Sequence, residues 1–245
     1  EGITLSQEEF YQRLSEDADI STSQPTPADV TKVWDELLEE WDEIVHIPMS
    51  SGLSGSCQSA MAFAADYDGR VQVVNNQRIS VTQRQSALDA LQLAAAGKDA
   101  AQIKEFLEND KFNSSIYIML DTLYYLKKGG RISKSVAMIG GMLSIKPVVT
   151  VEDGVVAVLG KARGSKNGNN LLVKEIQNAG GIDFSLPFWL GYTGINDALL
   201  QKYIQDSEVL WKDYTEELPI CTIGATIGTH VGPNAVAVAF FGKEG

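Results

Sequence analysis

Between Val30 and Trp41 apolar residues recur at three- and four-residue steps (Val30, Val33, Trp34, Leu37, Leu38, Trp41), with Asp35, Glu36, Glu39 and Glu40 between them. That period predicts an amphipathic helix, with Thr26 as N-cap, Pro27 as first helical residue and Asp29 as the acid of the first turn. Short apolar runs at Glu43–Ile47 and Arg70–Val74 predict strands. Helices are expected from about Ser56 to Ala65, over 84–96 and from Asp99 to Asn109. Strand and helix thus alternate as in a parallel α/β layer.

Past Asn109 the texture changes. Ser115–Leu120 predicts a strand, Thr122–Lys128 a short helix, and Gly129-Gly-Arg-Ile-Ser133 a break. Two β-branched runs, Pro147–Val151 and Val155–Leu159, flank Glu152-Asp-Gly154, a strong hairpin signal. Phe188–Thr193 and Val236–Phe241 add two strands, with a helix over 196–206 between them. The expected fold class is therefore α/β in two domains, 1–110 with a parallel layer and 111–245 with a mixed sheet and helices.

A length of 245 residues accommodates one large or two small domains. The 32 acidic against 20 basic residues give a net charge of −12, which argues against a nucleic-acid partner, whose phosphates are bound by cations. Cys57 and Cys221 form neither a CxxC nor a Cys/His metal spacing, so a zinc site and a disulfide framework are unexpected and a reducing cytoplasm fits. The longest apolar stretch, Ala235–Phe241, is far too short to cross a bilayer. The chain opens at Glu1 without methionine, as a trimmed or processed piece would.

Three segments carry candidate chemistry. In Thr22-Ser-Gln-Pro-Thr-Pro27 the cap needs only Thr26, which leaves Thr22 and Ser23 as spare hydroxyls at a helix N-terminus, where an anion is favoured. Ser50-Ser-Gly-Leu-Ser-Gly-Ser56 follows a strand, where ligands bind in open α/β sheets, although a cap on the next helix by Ser54 or Ser56 reads equally well. The third segment, Gly228-Thr-His-Val-Gly-Pro-Asn234, reads as a glycine-rich turn holding His230, one of two histidines; the other, His46, lies inside a strand and reads as structural. Gly52-Leu-Ser54-Gly-Ser56 lacks the final glycine of a nucleophile elbow, so a serine hydrolase or acyltransferase using Ser54 and His230 is the weaker alternative. No P-loop or Gly-x-Gly-x-x-Gly occurs, which disfavours nucleotide binding by this chain alone. The basic segments Lys128–Ser133 and Lys161–Lys166 read as solvated loops.

Thr22-Ser-Gln-Pro, Ser50-Ser-Gly-Leu-Ser-Gly, Leu126-Lys-Lys-Gly-Gly-Arg-Ile-Ser, Ile145-Lys-Pro, Lys161-Ala-Arg-Gly and Thr229-His-Val-Gly-Pro together resemble, in order and spacing, the DegV family of bacterial fatty-acid-binding proteins. The resemblance implies two α/β domains with a long acyl chain, such as palmitate, in a tunnel between them, and no catalysis or cofactor beyond that bound long-chain fatty acid. It also implies a separate fatty acid kinase as partner, making the acyl phosphate, with transient membrane contact in a cytoplasmic protein. By the same resemblance Thr22 and Ser54 hold the carboxylate, with Ser23 and Ser51 beside them and His230 close by, and Arg163, on an exposed loop, meets the kinase. Three departures stand out. The family's opening strand with its Asp-Ser motif has no counterpart after Glu1, leaving the parallel sheet one strand short; Asn75-Asn76 replaces a usual Asp-Ser pair; and Asn234 replaces a glycine.

Overall fold

A computed structural model of the chain describes residues 4–132 and 144–242. Ser133, the last residue of the expected break, lies outside the described residues. The chain divides into two units: Ser23–Asn113 with Asp153–Val155, and Glu1–Thr22 with Ser114–Glu152 and Val156–Gly245. The expected division at 110/111 differs from these units chiefly in the first 22 residues, which belong with the C-terminal unit. Helix α1 (Gln7–Ser15), which the hydrophobic pattern did not reveal, explains this. Its Phe10, Tyr11 and Leu14 are buried against Tyr125 and Ala225, both in that unit.

In the Ser23–Asn113 unit, α2 (Pro27–Leu38) begins as expected: the Thr26 hydroxyl accepts from the Asp29 backbone N–H at 3.2 Å and Pro27 opens the first turn. Strands β1 (Ile44–His46) and β2 (Val71–Val73) pair in parallel, with Ile44 opposite Val71 and His46 opposite Val73. Helix α3 (Ser56–Ala64) lies between them in sequence, and α4 (Ser80–Ala95) and α5 (Ala100–Asn109) follow. Apolar side chains cluster in two groups. Trp34, Cys57, Ala60, Val71 and Val73 form one, and Val74, Ala90, Ile103 and Leu107 the other. Because strand side chains alternate in direction, the helices pack as layers on both faces of the parallel pair. Val33, Leu37 and Trp41 of the predicted apolar face remain exposed, because only Trp34 of α2 is fully enclosed.

The second unit is built on a mixed sheet of six strands among the described residues, in the order β5-β4-β3-β8-β6-β7. These are β3 (Ser114–Met119), β4 (Ile145–Glu152), β5 (Val155–Arg163), β6 (Phe188–Tyr192), β7 (Ile220–Thr222) and β8 (Val236–Phe241). The β4–β5 turn uses Asp153 and Gly154, both at positive φ (50° and 79°), which is the backbone the Asp-Gly signal anticipates. β8 pairs antiparallel with β3 and β6, and all six of its residues are buried, as its unbroken apolar run requires of a central strand. Helix α6 is Tyr124–Lys128, α7 Ser165–Asn178, α8 Ala198–Asp206, α9 Glu208–Trp211 and α10 Ala225–Val231. Leu172 and Ile176 of α7, Leu200 and Tyr203 of α8, and Trp211 pack with Val148, Leu190, Val236, Val238 and Phe240 of the sheet. Among the described residues no helix is long and apolar enough to cross a membrane.

Candidate functional site

Thr22 and His230 meet. The Thr22 Oγ1 and His230 Nε2 atoms are 2.7 Å apart, although 208 residues separate them. Thr22 ends a loop that leaves α1, and α1 is tied down where the Tyr11 hydroxyl donates to the Ile223 carbonyl at 2.5 Å. His230 sits in the last turn of α10, not in the glycine-rich turn expected from its neighbours. Packing holds that segment helical despite Gly228, which lies so close to Tyr11 and Phe10 that a β-carbon there would meet both rings; the Thr229 hydroxyl donates back to the Ala225 carbonyl at 2.8 Å. Packing overrides the low helix propensity of glycine.

The pair lines a cavity of about 270 Å³ together with Leu14, Tyr125, Lys128, Gly129 and Arg131. A β-carbon on Gly129 would overlap the His230 ring, so glycine is the residue that lets the helix end and the imidazole pack together. Lys128 pairs with Asp19 at 2.8 Å, which holds the Asp19 carboxyl below and the Lys128 ammonium above their ordinary ranges. Burial lowers the His230 pKa, and the Arg131 cation lowers it further, which favours the neutral ring. Its Nδ1 is buried without a hydrogen-bond partner. A bare lone pair beside a cation costs less than an orphaned N–H there, which favours the tautomer with hydrogen on Nε2. In that tautomer Nε2–H donates to Thr22 Oγ1, which leaves the Thr22 hydroxyl hydrogen for another acceptor.

The serine cluster belongs to the other unit. It follows β1, and three hydrogen bonds fix its start: Ser50 N–H to the Arg78 carbonyl (2.9 Å), Ser50 hydroxyl to the Gly154 carbonyl (2.7 Å) and Ser51 N–H to Asn75 Oδ1 (3.3 Å). Asn75 Nδ2 donates in turn to Ser51 Oγ at 2.9 Å. Ser54 Oγ lies 2.9 Å from Ser56 Oγ and accepts from the Ser56 N–H at 3.2 Å, a local cap at the start of α3. With His230 engaged by Thr22 and Ser54 by Ser56, the serine hydrolase alternative is not favoured. Ser23 is exposed.

Arg163 is also placed differently from the expectation. It is the last residue of β5, with its carbonyl accepting from Asn167 Nδ2 at 2.9 Å; Lys161 lies in the same strand and Lys166 in α7, so the basic segment is no loop. Gly160 is accommodated in the strand, Gly164 precedes α7 and Gly168 is buried within it. Lys161 and Arg163 are exposed and, two residues apart, share one strand face. His46 accepts a hydrogen bond from Trp34 Nε1 at 3.1 Å and is tied into the core of its unit. Among the described residues no group of three or more His, Cys, Asp or Glu is placed to hold a metal ion.

Comparison with known proteins agrees with this architecture. A DegV domain-containing protein of Deinococcus radiodurans is 31% identical over 244 residues, covering 98% of this chain and 84% of that protein. Among solved structures, a fatty-acid-binding DegV family protein from Thermus thermophilus matches with a TM-score of 0.83 and 32% identity over 97% of this chain and 85% of that one. DegV from Bacillus subtilis, described as a fatty acid binding protein, matches with a TM-score of 0.77 and 27% identity over 98% of this chain and 85% of its own. The model of a family described as "Uncharacterised protein, DegV family" spans residues 1–243, and the chain belongs to that family.

Proposed function

We propose that this protein binds a long-chain fatty acid, without catalysis of its own, and presents its carboxylate to a fatty acid kinase that makes the acyl phosphate. The observation that carries the reading is the Thr22–His230 pair on the wall of a cavity shared with Lys128 and Arg131. A neutral imidazole that orients a hydroxyl, with cations nearby, suits a carboxylate better than an uncharged group. The fatty-acid-binding proteins of Thermus thermophilus and Bacillus subtilis, similar over nearly the whole chain, support the same ligand class.

In this reading Thr22, Ser51 and Ser54 donate to the carboxylate, with Ser23 at the rim and His230 orienting Thr22. The acyl chain occupies the tunnel between the two domains that the family resemblance implies. Burying about fourteen methylenes contributes roughly 11 kcal/mol before the cost of association, at about 0.8 kcal/mol each, so affinity comes from the tail. The hydroxyls offset the several kcal/mol that an unpaired buried carboxylate would cost, and they fix its direction. Lys161 and Arg163, exposed on one face of β5, form the kinase contact. The protein works in the cytoplasm, with transient membrane contact when it loads or releases its lipid.

Native mass spectrometry of protein purified from a bacterial host tests the ligand class. A complex heavier by one long-chain fatty acid is expected. Protein that carries none and takes up none when fatty acid is added would overturn the reading.

A further inference from the structure

His230 lies two residues before Gly232, and the turn they share is held by a side chain that the proposed site has not yet used. Thr193 follows β6 directly and is 2% exposed. Its hydroxyl donates to the Gly232 carbonyl at 2.7 Å and accepts from the Ala235 N–H at 2.8 Å. A carbonyl can only accept and an N–H can only donate, so the direction of both bonds is fixed. The Thr193 backbone adds two more, its N–H donating to the Ala235 carbonyl and its carbonyl accepting from the Asn234 N–H, each at 3.1 Å. Gly232 is thereby pinned from several sides. Its N–H donates to the Gly228 carbonyl at 2.8 Å and closes the last turn of α10, and a β-carbon on it would fall against the Tyr125 ring, which lines the same cavity as His230. With φ at 79° the position also calls for glycine, whose backbone is free to swing wherever such ties are missing.

We infer that Thr193 is a positioning residue for the carboxylate site: by fixing the turn that ends α10 it sets the direction of the His230 imidazole on the Thr22 hydroxyl. The inference rests on the fatty-acid reading and deepens it. A helix leaves its last carbonyls without partners of its own, and Gly232 and Ala235 are both buried, so losing the Thr193 hydroxyl strips a buried acceptor and a buried donor together. The turn must then shift to find new partners, and the motion passes to His230 through a glycine. The imidazole has little room for it. Its ring already occupies the space that a β-carbon on Gly129 would take, and its Nε2 has to stay within hydrogen-bond distance of Thr22 Oγ1, now 2.7 Å.

The test uses the full chain. Thr193→Val keeps the shape of the side chain and removes both of its hydroxyl bonds. Only two histidines occur in the sequence, so nitrogen NMR of the imidazoles reads His230 with His46 as internal reference. The His230 signals should shift and those of His46 should stay. The Kd for palmitate should rise about tenfold or more, the size of losing one hydrogen bond to a charged group, while the Kd for the alcohol of the same chain length stays nearly unchanged. A merely structural defect would weaken acid and alcohol alike. Thr193→Ser should restore both the signals and the affinity, and in a His230→Ala background Thr193→Val should cost no further palmitate affinity. Unshifted His230 signals in folded Thr193→Val, equal losses for acid and alcohol, or an undiminished loss without the imidazole would each overturn the inference while leaving fatty-acid binding intact. Should Thr193→Val not fold, Thr193→Cys, whose thiol donates and accepts only weakly, carries the same measurements. Failure of the unchanged protein to bind palmitate would instead overturn the functional reading itself.

Discussion

Thr22→Val replaces a hydroxyl by a methyl of nearly the same shape, so it removes one interaction with little change in packing. In the free protein the change strips His230 Nε2 of its partner at 2.7 Å, and Nδ1 of the same ring already has none. The ring is half-buried, so water relieves part of the loss, and a destabilisation near the low end of about 1–3 kcal/mol is expected. In the complex the variant also loses a hydrogen bond to a carboxylate, about 1.5–3 kcal/mol, which corresponds to roughly a ten- to 150-fold rise in Kd. Set against roughly 11 kcal/mol gross from the acyl chain, the head-group loss weakens binding without abolishing it.

Two assays separate these effects. Chemical denaturation without ligand reads the first, and titration with a fluorescent fatty acid well below the unfolding midpoint reads the second. Thr22→Ser keeps the hydroxyl and should restore most of both. Affinity unchanged in folded Thr22→Val would refute the assignment of Thr22 to the carboxylate, however stable the variant proved to be.

Gly129→Ala places a β-carbon where the His230 ring now lies, so the ring must turn away from Thr22; a loss of about 1–3 kcal/mol in stability and weaker fatty-acid binding are expected, measured by the same two titrations. His46 and His230 both have folded pKa values below the ordinary 6.5, each chiefly through burial. The unfolded chain therefore binds more protons below about pH 6.5, so stability is full above that value and falls as pH drops through the folded pKa values, which denaturant midpoints between pH 8 and 5 will show. His46→Gln keeps an acceptor for the Trp34 indole and cannot titrate, so it should flatten part of that slope. Arg163→Ala should leave fatty-acid affinity unchanged and reduce acyl-phosphate formation with the cognate kinase; full activity in that assay would make Arg163 an ordinary surface residue.

The elements whose residues interact locally were legible in the sequence. The α2 cap at Thr26 and Pro27, the Asp153-Gly154 turn and the apolar run of β8 each carry their cause within a few residues. Elements settled by packing were not. Helix α1 has only Phe10, Tyr11 and Leu14 to mark it, and α10 contains the Gly228 that suggested a turn, because the two helices stabilise each other through Tyr11 and neither signals the contact alone. Arg163 was misplaced for the opposite reason: a glycine-rich basic segment has loop composition, yet it extends an edge strand whose outer face water covers.

The site shows the same division more sharply. Spare hydroxyls at Thr22 and in the serine loop were visible as composition, but a hydroxyl is both donor and acceptor, and composition does not say which way it points. The neighbours decide that. His230 Nε2 meets the Thr22 hydroxyl from a position 208 residues away in sequence, and the Asn75 amide meets the Ser51 hydroxyl across 24. In each pair a nitrogen meets the hydroxyl oxygen: the Asn75 amide donates to Ser51, and His230 donates to Thr22 in its Nε2–H tautomer, which leaves each hydroxyl hydrogen for another acceptor. In the proposed fatty-acid complex, preorganisation of this kind lowers the cost of ordering donors on binding, which suits a protein with twelve more acidic than basic residues that is to hold an anion through neutral hydroxyls.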